Sequence, residues 1–220
     1  MTVRLAHSYS ALKLYENCPL RYYRQRVLKD VRDKGGEASM YGERIHKLLE
    51  ERLKGSQDDA PEIASYQPLV DNILKSIGDG ELLVEQELAL NEGLTPTGWW
   101  DADAWMRSKL DVLVLHGERA TMLDWKTGKR RPDFNQLELF ALQVFAHYPN
   151  VTTVTSGFLW LKDFTMDRET YTRSMAPALW ASLLERVRRI EKSLVTETWP
   201  AKPSGLCGWC PCKPTCKYST

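Results

Sequence analysis

The sequence predicts a mixed α/β fold, with a central sheet flanked by helices, and three observations carry that prediction. Between residues 83 and 126, short apolar and aromatic runs alternate with turn signals, as consecutive strands do. On both sides of this stretch, apolar residues recur at helical spacing. A helical run at 135–148 then follows the strand bearing Asp124 directly, and further strand-like runs come after it.

A first helix begins near Ser8 or Ser10, either of which can cap the free amides of the first turn, and Leu12, Leu14 and Tyr15 form its apolar side. Cys18-Pro19 interrupts it, and Pro19 suits the first position of a second helix carrying Arg21, Tyr22, Tyr23, Arg24 and Arg26. Arginines interleaved with aromatics suit single-stranded nucleic acid, with Tyr22 and Arg24 as contacts; burial of the tyrosines in the core fits the same pattern. Over 39–54, Tyr41, Ile45, Leu48, Leu49 and Leu53 form a helical stripe, with His46 at its boundary. The polar stretch 55–61 reads as a loop, and 66–77 as a short helix stopped by Gly78-Asp79-Gly80.

Strands are predicted at 83–90, 98–106, 109–116 and 120–126. Glu85 and Glu87 share a face of the first, either as exposed carboxylates or near a metal. The helix at 135–148 separates its faces cleanly. Leu137, Ala141, Val144, Phe145 and Tyr148 make the core stripe, and Gln136, Phe140, Gln143 and His147 align on another. Strands at 151–161 and 169–175 follow, then a long amphipathic helix through Trp180, Leu183, Leu184, Val187, Ile190 and Leu194. No repeat, low-complexity segment or linker interrupts the chain, which reads as one domain.

With 43% hydrophobic and 27% charged residues in 220, the composition is that of an ordinary soluble chain with enough length for a core. No apolar run approaches the length of a membrane span, and residues 1–9 lack the apolar core of a signal peptide, so a cytoplasmic location is expected. A net charge of +1 gives no global attraction for nucleic acid, and any binding must use local basic patches such as 126–131, which holds Arg130. No Gly-x4-Gly-Lys-Ser/Thr occurs, so no ATP-driven motor is expected in this stretch.

Residues two apart in a strand share a face, so Asp124 and Lys126 project together while Trp125 packs on the other side. Asp111 can join them from the neighbouring strand. Two such carboxylates offer hard ligands to Mg2+ or Mn2+, which polarises a phosphodiester and lowers the pKa of a bound water; Lys126 would stabilise the developing charge. Gln136, at the start of the next helix, can reach this site. A Ser-x-x-Lys at 10–13 with Lys126-Thr127-Gly128 mimics a penicillin-binding pattern, but the Ser-Asp-Asn element is absent.

Four of the five cysteines fall in the last 14 residues, as Cys207-x2-Cys210-x-Cys212-x3-Cys216, and Cys18 lies near the opposite end. In a reducing compartment this clustering points to a metal site. A self-contained Zn2+ site made by the four C-terminal cysteines remains one reading of it.

Taken together, these pieces resemble the RecB-like nucleases of the PD-(D/E)XK superfamily, specifically the iron–sulphur branch, which includes CRISPR-associated RecB-like exonucleases and AddB-type nuclease domains. The likeness runs from Ser8 to Cys216. Gly42-Glu43-Arg44-Ile45-His46 resembles the helix that supplies a histidine metal ligand, and Asp111 matches the first carboxylate. Asp124-Trp125-Lys126-Thr127-Gly128 matches the catalytic Asp-x-Lys-Thr-Gly, with the Trp125 carbonyl as an additional ligand. Gln136-Leu137-Glu138-Leu139-Phe140 resembles a Gln-x-x-x-Tyr motif that contacts DNA or the nucleophile; Phe140 stands in place of its Tyr, which loses any hydroxyl contact, and the resemblance implies it as a nucleic-acid contact. Cys18, Cys207, Cys210 and Cys216 match the ligands of a [4Fe-4S] cluster, leaving Cys212 surplus, and Ser108 replaces a common glycine. The resemblance implies a PD-(D/E)XK core, a divalent-metal-dependent exonuclease on single-stranded DNA or DNA ends, and a recombination, helicase or CRISPR-adaptation partner. A catalytically silent DNA-binding or assembly module is the alternative.

Overall fold

Residues 5–58 and 60–218 are described in this computed structural model. One sheet runs through β1 (Glu81–Leu90), β2 (Pro96–Thr97), β3 (Met106–His116), β4 (Arg119–Lys126), β5 (Thr153–Trp160) and β6 (Thr165–Thr172), in the order β2-β1-β3-β4-β5-β6. The α-helices are α1 (Tyr9–Asn17), α2 (Pro19–Tyr22), α3 (Glu37–Leu53), α4 (Gln67–Ser76), α5 (Phe134–His147) and α6 (Ala176–Thr196). The chain divides into two compact units where the sequence predicts one domain. Residues 35–179 form the sheet unit, and residues up to 34 together with those from 180 onward form a terminal unit.

Within the sheet unit, all neighbouring strands are antiparallel except β4 and β5. Parallel neighbours need a long crossover, and α5 supplies it. It buries Leu137, Phe140, Ala141, Val144 and Phe145 against Leu110, Leu113, Met122, Val154 and Phe158. On the opposite face α3 and α4 bury Ile45, Leu49, Leu53, Val70 and Ile73 against Val112, Val114, Leu123 and Trp125. The sheet is therefore covered on both sides at its centre, and the second half of β3 and β4 bury apolar residues on both faces.

β1 and β3 share an irregularity that shapes the site. Glu85 has φ +57°, a left-handed conformation that is costly for a residue with a Cβ. The register continues unbroken across it, with Val84 opposite Val112 and Gln86 opposite Leu110. Both strands nevertheless exchange faces here. Leu83 and Leu88 both meet the α5 side, although residues five apart in a regular strand face opposite ways. In β3, Leu110 and Leu113 likewise meet the α5 side, whereas Val112 and Val114 meet the α3 side. Glu85 and Asp111 stand across from each other at this joint reversal.

The strand predicted at 98–106 does not form. Only Pro96 and Thr97 pair with β1, and from Gly98 the chain turns. Asp101 accepts the Gly98 N–H at 2.7 Å and the Thr97 hydroxyl at 3.0 Å, while Asp103 accepts the same hydroxyl at 2.8 Å. Short acidic side chains that capture nearby backbone and hydroxyl donors compete with a ladder, and here they win. At the far edge, β6 begins earlier than predicted, at Thr165, and residues Arg173–Met175 form a 3-10 turn.

In the terminal unit, Ser8 caps α1 by accepting the Ala11 N–H at 3.3 Å. Pro19 opens α2, which continues as a π-turn over Tyr23–Val27. Tyr15 donates to the Arg189 carbonyl at 3.0 Å and pairs with the Ser193 hydroxyl at 2.7 Å, and Arg186 grips Glu16 with two bonds of 2.6 and 3.1 Å. Tyr22 is wholly buried, its ring stacked 5.9 Å from that of Trp199. The expectation that Tyr22 contacts nucleic acid is thus corrected, because its ring is already stacked inside the core. Beyond α6, residues 197–218 hold only 3-10 turns, at Gly205–Trp209 and Lys213–Thr215.

Candidate active site

The site forms where β3 and β4 part. Their pairing runs from His116 opposite Arg119 to Val112 opposite Leu123, and the next pair, Asp111 with Asp124, is not made. Asp111 Oδ2 instead accepts the Trp125 N–H at 2.7 Å, while its Oδ1 lies 3.3 Å from His46 Nδ1. Glu85 completes the group: His46, Glu85 and Asp111 each present one ligand atom, all within 4.8 Å of one another. That spacing fits one divalent cation, whose oxygen and nitrogen ligands stand about 2.0 to 2.2 Å from the metal. Lys109 pairs with Glu85 across the strands.

The approach of α3 depends on a glycine. A Cβ on Gly42 would meet Thr127 Oγ1 at 3.0 Å, so a side chain here would push the helix away from the turn after β4. His46 lies one helical turn further along and is carried to Asp111 by that contact.

On the other side of the split, Asp124 is buried and its Oδ2 lies 2.6 Å from Lys126 Nζ. Gln136 ties the two together, donating to Asp124 Oδ1 at 3.1 Å and accepting from Lys126 at 3.3 Å. The ammonium also sits 5.0 Å from the centre of the Phe158 ring. Burial, helped by the charge of Asp111, pushes the Asp124 carboxyl up to about 6 despite the opposing Lys126 and His46. Burial pulls the other way on His46, but its hydrogen bond to Asp111 and the charges of Asp111, Asp124 and Glu85 outweigh it and raise its pKa. The Asp124 shift comes chiefly from burial and the His46 shift from the carboxylates around it, and a bound cation would favour the charged form of Asp124.

The structure therefore brings together His46, Asp111, Asp124, Lys126 and Gln136, all singled out in the sequence, and adds Glu85 to the ligand group. Trp125 is buried on the α3 side, its amide committed to Asp111. Phe140 is only 5% exposed and packs in the core, so the predicted contact of its ring with DNA is corrected. Gln143 donates to the Met106 carbonyl at 3.4 Å and His147 pairs with that of Ala89 at 3.0 Å, so this helix stripe serves the sheet beyond Gln136. Arg130 is half-exposed and bonded to Asp167 at 2.8 Å. Arg24 is bonded to Asp30 at 2.8 Å and donates to Thr215 at 2.9 Å.

In the terminal unit Cys18, Cys207, Cys210, Cys212 and Cys216 line one cavity, together with Leu20, Pro203 and Leu206. Cys18, Cys207, Cys210 and Cys216 are partly exposed to it, while Cys212 is buried. Burial and the adjacent Cys210 push the Cys212 thiol up to about 11 in the metal-free fold.

The family model for the PD-(D/E)XK nuclease superfamily matches residues 6–217. No curated protein matches the chain. Among solved structures, the protein SSO0001 superimposes with a TM-score of 0.56 at 13% identity, over 100% of this chain and 89% of that one. A Eubacterium rectale protein provisionally assigned as an exonuclease does so with a TM-score of 0.52 at 14% identity, over 94% and 87%. These likenesses concern the fold. With a family match over nearly its whole length and a carboxylate–lysine site at the parting of two strands, the chain belongs to the PD-(D/E)XK nuclease superfamily of metal-dependent nucleases.

Proposed function

We propose that this nuclease hydrolyses DNA phosphodiesters as an exonuclease on single strands or DNA ends, in recombination, repair, phage replication or CRISPR adaptation, beside a helicase or adaptation partner. The observation that carries the reading is the union of His46, Glu85 and Asp111 within 4.8 Å, next to the Asp124–Lys126 pair. His46, Glu85, Asp111 and Asp124 would hold the metal, with the Trp125 carbonyl as a further ligand. An imidazole among the carboxylates favours Mn2+ over Mg2+, since nitrogen donors suit the softer ion. When bound, such a cation supplies Lewis-acid polarisation of the phosphate and lowers the pKa of a coordinated water.

The chain's own residues do the rest. Lys126, 2.6 Å from Asp124, would present its ammonium to the phosphate where negative charge develops. Gln136 would hold the lysine and the aspartate in register through the two bonds it makes to them. The Trp125 amide fixes the Asp111 carboxylate, so the ligand pays little reorganisation.

Cys18, Cys207, Cys210 and Cys216 would hold a [4Fe-4S] cluster. The arrangement of the thiols supports this over zinc. A tetrahedral zinc at about 2.3 Å holds its sulphurs about 3.8 Å apart, whereas among the described residues the metal-ligating groups within 4.8 Å include no trio of cysteines. Cys18 lines the same cavity as the C-terminal cysteines, which suits a cluster that it shares rather than a site made by those four alone. Incubation of anaerobically purified protein with end-labelled single- and double-stranded DNA, with Mg2+ or Mn2+ and no ATP, tests the whole reading. Mononucleotide release from an end is the expected result; intact DNA under all conditions would leave a silent binding module as the better account.

A further inference from the structure

The turn that replaced the predicted strand carries two tryptophans. Trp100 is 83% exposed and Trp99 is half-buried. The guanidinium of Arg107 lies 5.5 Å from the centre of the Trp99 ring and 5.7 Å from that of Trp100. Its Nε is buried with no hydrogen-bond partner, and among the described residues no carboxylate pairs with it. The ring contacts hold this arginine in place without neutralising it. Asp101 and Asp103 meanwhile spend their charge on Thr97 and Gly98, which fixes the turn in shape. A large, exposed aromatic surface backed by an unneutralised cation, on a turn locked by its own hydrogen bonds, is unusual for a solvent face.

Position ties this feature to the catalytic centre. Arg107 and Lys109 fall at alternate positions of β3, so they share one face of the sheet, and Lys109 lines one cavity with His46, Glu85 and Asp111. The distance along the strand from Arg107 to Asp111 is about 13 Å at about 3.3 Å per residue. That is the reach of a few nucleotides.

Resting on the nuclease reading, we propose that Trp99, Arg107 and Trp100 form a nucleobase-stacking platform that holds the substrate strand a few nucleotides from the metal triad. Every base has a π-face, so stacking tolerates sequence, as a nuclease that degrades arbitrary DNA requires. Arg107 adds a cation for the neighbouring phosphate and stiffens both rings. The platform positions the strand; it does not touch the reacting atoms.

Binding of a fluorescein-labelled thymidine 20-mer, followed by anisotropy in Ca2+ so that binding is read apart from turnover, tests this directly. Trp100→Ala should weaken binding about tenfold and Trp100→Phe should restore it to within about threefold, while circular dichroism stays that of the parent. In Mn2+, the KM for the oligonucleotide should rise in Trp100→Ala with kcat little changed, and cleavage of the 4-nitrophenyl ester of thymidine 5′-phosphate, which has no flanking base, should be unaffected. Equal binding by parent and Trp100→Ala, or a Phe variant as weak as the Ala variant, would overturn the platform and leave that face to a protein partner. A parent that binds the 20-mer through Trp100 but never cleaves it would keep the platform and refute the nuclease reading instead.

Discussion

In the sheet unit each charged group of the site already has a partner from the chain itself: Asp124 has Lys126 and Gln136, Asp111 has the Trp125 amide and His46, and Glu85 has Lys109. In the terminal unit, five cysteines ring a cavity and four of them sit on or beside 3-10 turns in a stretch with neither helix nor strand. The difference teaches which part of the molecule would depend most on a bound inorganic group. A site whose charges are mutually compensated can assemble on a finished sheet and take up its cation afterwards. If the proposed cluster fills the cavity, it would contribute folding free energy directly to residues 197–218, which among themselves hold only 3-10 turns.

The largest expected effect is on the compensated site. Lys126→Ala should lower single-turnover cleavage by about 10^2 to 10^3-fold, the loss typical of a preorganised charge donor, while calorimetry with Mn2+ still detects binding. Asp111→Ala should abolish both cleavage and binding. If Lys126→Ala cuts at the parent rate, the partnered charges of the sheet unit are structural only.

Next comes the contrast itself. Anaerobic iron chelation, or Cys18→Ser, should raise amide exchange across 5–34 and 180–218 and leave the strands protected. Loss of protection in β3 and β4 to the same extent would mean that the two units are one cooperative body.

A smaller effect is expected from pH. Asp124 has its pKa raised to about 6 in the metal-free fold, above the ordinary 3.8, so the folded state holds this proton more tightly than the unfolded chain. The metal-free protein therefore gains stability as pH falls through about 6, and loses that contribution as pH rises through it. Cation binding competes with the same proton, so the rise in melting temperature on adding Mn2+ should shrink as pH drops from 7 to 5. A constant rise across that range would exclude Asp124 from the cation's surroundings.

The smallest effect should come from Cys212→Ala. This thiol is buried and stands outside the four proposed ligands, so its removal should cost about 1 kcal/mol in a denaturant titration and leave iron content unchanged. Loss of iron would make Cys212 a ligand.

Much of the sheet site was legible because it rests on strand alternation, which is local. Asp124 and Lys126 point together in the structure as period two requires, and Gln136 reaches them from the first turn of α5. Glu85 was harder to place. Its membership depends on a left-handed backbone and a joint change of face in two strands, and composition carries no trace of either. The arginine–tyrosine run of α2 misled in the opposite way. Alternating cations and aromatics suit both DNA and a core edge, and only the stack of Tyr22 on Trp199, far away in sequence, decides between them. The turn after Thr97 was misread because its apolar tryptophans look like strand residues, while Asp101 and Asp103, which set the backbone, look like surface polarity.

The left-handed residue at Glu85 also bears on how such a chain can evolve. Glycine would adopt φ +57° without the roughly 1 kcal/mol or more that a residue with a Cβ incurs there. Selection for robustness alone would therefore drift toward glycine at this position, and would erase the carboxylate in doing so. A glutamate kept in a backbone shape that disfavours it marks a compromise between durability and chemistry, and the most stable homologue of this fold would be a poor enzyme.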